Sequence, residues 1–196
     1  MTARLTLASA SAIRAKILRD AGLDFDIARP EVDEAAIKAE MLEAGAALEE
    51  IAMALAEAKA LAFTAPGLVI GSDQILEFRG GLFDKPQSRA EAMARLLELQ
   101  GAAHSLINAV AIAEAGKIVF RHLDRPRLFM RAVSAAEIGR YLDAAGDGVL
   151  SSVGAYQIEG LGARLFERVE GDYFAVLGLS LFPALGFLQS RGIGGF

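Results

Sequence analysis

One carboxylate set inside an apolar run is the most informative chemistry in the chain. Leu68-Val69-Ile70 leads into Gly71-Ser72-Asp73-Gln74 before Ile75-Leu76 resumes the apolar pattern. Short Val/Ile/Leu runs read as core strands. An ionisable Asp there needs a partner, a proton or a metal. Such a carboxylate can deprotonate a water or hold a hard cation. Gly71 permits close approach of another group, and Ser72 and Gln74 add polar atoms that can orient it. Taken alone, a strand end with a turn is the simpler reading.

Other stretches carry compatible chemistry. Ser9-Ala10-Ser11 precedes a helical pattern with Arg14 and Lys16 in or near its first turn. Cations there oppose the helix dipole by about 0.3–1 kcal/mol each. Free N–H groups, two serines and an Arg nonetheless suit a phosphate, while a solvated Arg is the plain alternative. Glu31, Asp33 and Glu34 beside Pro30 read either as an acidic first turn or as oxygen ligands for Mg²⁺. Lys59 falls on the edge of a helical core stripe formed by Leu48, Ile51, Leu55 and Ala62, where a snorkelling stem is the default. Lys85, before Pro86, is held extended and off the following helix, as suits a reaching cation. Gly154 to Gly162 interleaves glycines with Tyr156, Gln157 and Glu159, a loop able to approach a flat ligand. No helical pattern follows it, so a dinucleotide fingerprint does not apply. His104 and His122 read as structural or exposed rather than catalytic.

The elements that must position these residues follow from pattern and punctuation. Strands are expected over 5–8, 25–28 and 68–78. Helices follow from Ser11 to a stop at Gly22, from about 35 to 45, and on to about 62. After a turn at 79–81 and a short return, Ser88 and Glu91 form a capping box for a helix buried through Met93, Leu96 and Leu97. Strands over 104–112, 118–120 and 128–130 surround a polar link holding His122. Ser134 and Glu137 form a second capping box. Segments 164–169 and 173–177 read as a strand pair around Glu170-Gly171-Asp172, and a last helix covers about 182–189 with Pro183 in its first turn. The whole reads as one mixed α/β unit over 196 residues.

Composition narrows the partners. A net charge of −5 without a basic block argues against a nucleic-acid polymer. Cysteine is absent and histidine numbers two, which removes disulfides, thiolate sites and His-rich metal sites. No apolar stretch is long enough for a membrane span, and the N-terminus lacks a signal-peptide layout, so a cytoplasmic setting is expected.

Six pieces in order carry a family resemblance: Leu7-Ala8-Ser9-Ala10-Ser11, Pro30 to Glu34, Ala58-Lys59-Ala60, Ile70 to Gln74, Lys85-Pro86, and Gly154 to Gly160. Together they resemble the Maf family of nucleoside triphosphate pyrophosphatases, over Leu5 to about Leu188. The resemblance implies an α/β fold, with an elongated mixed sheet in two lobes around a central cleft, similar to inosine triphosphate pyrophosphatases. It implies one such domain over 1–196, a homodimer, and hydrolysis of a nucleoside triphosphate to monophosphate and pyrophosphate with Mg²⁺ or Mn²⁺. By the same resemblance the general base falls on Asp73, phosphate-handling residues on Ser9 and Arg14, lysines on Lys59 and Lys85, and the acidic position on Asp33 or Glu34. Asp73 is then ligand, base or both.

Departures from the family pattern bear on the base. Most members carry Ser-Pro-Arg-Arg where this chain has Ser11-Ala12-Ile13-Arg14, many carry Thr at Gln74, and many carry Gln at Glu159. An apolar residue, Gln and Glu at these places resemble the branch acting on 7-methyl-GTP rather than the dTTP/UTP-directed branch. A carboxylate at Glu159 can accept from guanine N1–H and N2–H₂ but opposes the O4 acceptor of a pyrimidine. Ile13 would offer an apolar wall, and Tyr156 would stack or simply pack. The competing class is a nucleotide-binding regulator of cell division with little turnover, against which retention of Asp73, Lys59 and Lys85 argues.

Overall fold

The computed structural model describes residues 4–63 and 66–195. They divide into two compact units. The first holds the described residues up to Gln74, Ile107–Asp124, and those from Phe174 onward; the second holds Ile75–Leu106 and Arg125–Tyr173.

In the first unit, β1 (Leu5–Ala8) pairs in parallel with β2 (Asp26–Ala28) and with the start of β3 (Leu68–Phe78). All four β1 residues are buried, as expected of a parallel strand covered on both faces. β5 (Ala103–Glu114) lies next to β3, and β6 (Lys117–Asp124) folds back on it antiparallel. The hairpin turn takes positive φ at both Ala115 (49°) and Gly116 (74°), the geometry that matches strand twist. Leu5, Leu7, Leu68, Ile70, Val110 and Ile112 form one core with Ile17 and Leu18 of α1 (Ala12–Asp20) and Ala184 and Leu188 of α7 (Leu181–Ser190). Ser11 caps α1, its Oγ accepting from the Arg14 N–H.

Two further helices build the other side of β3. In α3 (Leu48–Leu61) the buried residues are Ile51, Ala52, Leu55, Ala56, Lys59 and Ala60, a stripe one helical face wide. Lys59 thus lies inside the stripe rather than at its edge, and Ala62, expected in it, is the exposed C-cap. The small alanines let the helix backbone approach β3 at Gly71, whose missing Cβ would stand 2.1 Å from the Ala56 carbonyl oxygen and 2.6 Å from the Ala60 nitrogen. The close approach that Gly71 permits is therefore to the protein's own helix. In α2 (Glu34–Glu43) the half-buried residues Glu34, Ile37, Lys38 and Met41 recur at helical spacing, and the helix packs on α3.

In the second unit, the end of β3 turns through Arg79 and Gly80 into β4 (Gly81–Phe83). The start of β5 pairs with β7 (Arg127–Met130), which pairs with β8 (Phe166–Glu170). Helices α4 (Arg89–Leu99) and α5 (Ala135–Ala145) pack together, and 3₁₀ turns cover Gly146–Ser151 and Leu161–Leu165. Both expected caps form at Ser88 and Ser134. At the first, however, Glu91 accepts from the Gln87 N–H instead of returning to Ser88. The face of α4 is also rotated from expectation: Ala92, Leu96 and Leu99 are buried while Leu97 is 40% exposed.

Three further expectations change. His122 lies within β6, and the link to β7 is only Arg125-Pro126. The strand expected from 164 begins at Phe166, after the 3₁₀ turn. Segment Tyr173–Leu177 is a single helical turn, α6, rather than a returning strand. Its aromatic and β-branched residues favour strands only where a ladder receives them. Here the chain closes on itself instead, with Leu179 N–H bonding to Phe174 O and Gly178 taking φ +103°.

The glycine loop of the second unit likewise serves the protein's own packing. A Cβ on Gly154 would stand 2.1 Å from the Tyr156 ring, and one on Gly162 would stand 2.5 Å from the Gln157 carbonyl oxygen. Tyr156 is buried, 2.6 Å by its Oη from His104 Nε2, with Phe166 edge-on at 4.7 Å between centroids. Burial lowers the His104 pKa to about 4, with only partial opposition from Glu77.

Two outcomes follow. Gly71→Ala forces the α3 backbone off β3, so chemical denaturation should show a loss at or above the ~1–3 kcal/mol usual for overpacking; an unchanged midpoint would refute this contact. His104 carries a folded pKa below its unfolded 6.5, so the unfolded chain binds the proton first. The advantage of the neutral ring is complete above about pH 6.5 and is lost as pH falls towards 4, by roughly 3 kcal/mol at most. Stability measured between pH 7 and 4 should fall less steeply in His104→Phe than in the parent. Parallel curves would remove His104 from the acid response.

Candidate active site

The helical periodicity of α3 and the strand position of Asp73 bring two expected residues together. Lys59 Nζ lies 2.6 Å from Asp73 Oδ1, with both side chains 9% exposed. The same ammonium lies 2.9 Å from Glu34 Oε1 on α2. Two carboxylates of the first unit thus converge on one cation site. Removing one partner from such a pair leaves an uncompensated buried charge, a loss of about 3–5 kcal/mol.

A second cation belongs to the same cluster. Arg14, in the first turn of α1, donates through Nε to Gly178 O at 2.6 Å and through Nη1 to Ser72 O at 2.9 Å and Ser9 Oγ at 3.4 Å. Burial lowers its pKa, and the charges of Asp73 and Glu34 oppose that shift. Ser9 Oγ also accepts from the Ser11 N–H at 3.1 Å, so Ser9 ties the segment entering α1 to the guanidinium. Ile13 is half-buried and packs on the core, which leaves part of its surface accessible.

The remaining expected residues are placed as follows. Gln74 donates through Nε2 to Ala175 O at 2.8 Å and Val176 O at 3.1 Å, so its amide holds α6. Asp33 is the N-cap of α2, accepting from the Ala36 N–H at 3.0 Å. Lys85 and Glu159 belong to the second unit. Lys85 is exposed between β4 and α4, and its carbonyl accepts from Gln87 Nε2. Glu159 is exposed in the loop between the two 3₁₀ turns.

Sequence reasoning missed three partners of this cluster. Asn108 on β5 is fully buried and donates through Nδ2 to Asp73 O at 3.2 Å. Its Oδ1 accepts from Ser180 N at 3.0 Å and Ser180 Oγ at 2.8 Å. Ser72 Oγ donates to Gly178 O at 2.9 Å. The signal for Asn108 was present, since an amide inside Leu106-Ile107-Asn108-Ala109-Val110 breaks an apolar run as Asp73 does. For Gly178 and Ser180 no local signal exists.

The donor set bears on a divalent ion. Among the described residues no group of three or more His, Asp or Glu side chains forms a metal cage. Asp73 and Glu34 nevertheless direct hard oxygens at one cation-accepting point. Mg²⁺ commonly takes one or two carboxylates and completes its shell with water and phosphate oxygens. The pair fits that requirement, with Asp33 already engaged at the helix cap.

The family model described as Maf-like protein matches residues 4–191. A nucleoside triphosphate pyrophosphatase of Bradyrhizobium diazoefficiens is 49% identical, over 95% of this chain and 93% of its own. Nucleoside triphosphate pyrophosphatase 1 of Jannaschia sp. is 49% identical over 97% and 98%, respectively. A 7-methyl-GTP pyrophosphatase of Brucella abortus is 44% identical over 96% of both chains. With that identity sustained across nearly the full length, the chain belongs to the Maf-like protein family.

Proposed function

We propose that this chain is a nucleoside triphosphate pyrophosphatase, a hydrolase of acid anhydrides, acting on 7-methyl-GTP. The observation that carries the reading is the buried Asp73 held against Lys59, which also pairs with Glu34, with Arg14 in the same cluster. Its relatives bear the names of that activity.

In this reading Asp73 accepts a proton from a water as the water oxygen bonds to the α-phosphorus. The bond from the α-phosphorus to the bridging oxygen breaks, and its electron pair leaves with pyrophosphate. Lys59 and Arg14 offset the charge that accumulates on the phosphate oxygens, in a site where burial strengthens each interaction. Ser9 and the α1 N-terminus supply further donors, and Lys85 a further cation. Asp73 and Glu34 would hold a divalent ion such as Mg²⁺ or Mn²⁺, which supplies Lewis acidity and neutralises phosphate charge. Glu159 accepts from the guanine edge, and Ile13 offers an apolar wall. Gln74 acts by holding α6 rather than by touching the base. A homodimer and a cytoplasmic setting complete the reading. Among the described residues no helix is long and apolar enough to cross a membrane.

Pyrophosphate release measured with Mg²⁺ over 7-methyl-GTP, GTP, dTTP, UTP and CTP should show 7-methyl-GTP leading. A lead for dTTP or UTP overturns the substrate, and release of orthophosphate alone overturns the reaction. Asp73→Asn should lower kcat by about 10²–10⁴-fold while triphosphate binding persists; unchanged turnover removes Asp73 as base. Glu159→Gln should narrow the preference for guanine over pyrimidine triphosphates more than it lowers the rate for 7-methyl-GTP. An unaltered substrate profile would exclude Glu159 from base recognition.

A further inference from the structure

Asp73 has a carboxylate that faces Lys59 and a main-chain carbonyl that is held from the opposite direction in sequence. That carbonyl accepts from Asn108 Nδ2, and Asn108 is completely buried. The same amide accepts two bonds from Ser180 through its Oδ1, so it links the Asp73 peptide to Ser180. Two positions before Ser180, the Gly178 carbonyl accepts from both Arg14 Nε and Ser72 Oγ. The short segment Gly178–Ser180 therefore receives the phosphate-side guanidinium through one bond, and the strand carrying Asp73 through two routes. Neither route uses a group that would contact a nucleotide.

We propose that Asn108, acting with Ser180, is a positioning residue for the pyrophosphatase reaction: it sets the Asp73 peptide against the segment that anchors Arg14. The inference rests on the reading of Asp73 as the base. A strand side chain leaves its Cα in a direction set by the flanking peptide planes, so the Asp73 carbonyl and carboxylate turn together. Placement of a catalytic base within a fraction of an ångström governs rate far more than ground-state binding.

Two variants dissect the role. Asn108→Asp keeps an acceptor for Ser180 but loses the donor to Asp73 O. Asn108→Leu loses both without adding charge. Each should lower kcat for pyrophosphate release at least tenfold, with KM for the nucleotide changed less than about twofold. If Asn108→Leu fails to fold, Ser180→Ala, expected to lower kcat severalfold with KM held, still decides.

Loss of stability with kcat intact in either variant would make Asn108 merely structural and overturn the proposal. A fall in Asn108→Asp alone would assign the effect to charge and overturn it as well. A parent protein that releases no pyrophosphate from any triphosphate would instead refute the reaction, and the positioning role would fall with it.

Discussion

The contact between Lys59 and Asp73 requires that a helix backbone lie almost against a strand. An ammonium and a carboxylate 2.6 Å apart in the interior have each lost most of their hydration. Their attraction compensates only when geometry is good and further partners satisfy what remains. Glu34 and the Arg14 charge supply those partners. The approach itself depends on atoms that are absent: no Cβ at Gly71, and only methyl groups at Ala52, Ala56 and Ala60. A larger residue at any of these would lift α3 away and draw the lysine from the carboxylate.

Around that contact the first unit is organised as a set of tethers to α6 and the segment after it. Gln74, Ser72 and Arg14 all donate to carbonyls between Ala175 and Gly178, and Asn108 takes the donors of Ser180. Three consecutive β3 residues thus divide two tasks. Ser72 and Gln74 hold the C-terminal segment, while Asp73 between them faces the cations. A single helical turn with a left-handed glycine presents those carbonyls, which explains why the strand-like residues of Tyr173–Leu177 do not form a strand.

The second unit follows a different physical logic. Its glycine-rich loop closes over Tyr156 and His104, a neutral hydrogen-bonded pair beside Phe166. The glycines make room for protein atoms, so Glu159 is presented from a loop whose base is packed. In the proposed function, base recognition by this loop falls to the exposed Glu159 carboxylate, because the Tyr156 ring is buried.

Much of this was determined by the sequence alone. Ser11, Ser88 and Ser134 cap the helices they announce, because capping is decided within four residues. The strand leading to Ser9 and those bearing Asp73 and Asn108 are legible because Val, Ile and Leu runs bury themselves whatever their neighbours. Asp73 could be singled out as a misfit to local pattern, whereas Lys59 read only as a lysine at the edge of a core stripe. What only the tertiary structure decided is which misfits meet. Lys59 lies inside its stripe because β3 admits α3 at Gly71, the face of α4 is set by α5, and Gln74 serves α6 because a segment a hundred residues later turns its carbonyls towards it. Local pattern records the burial of one residue at a time, whereas a hydrogen bond between distant segments depends on the relative placement of both. That placement is fixed only when the whole core packs.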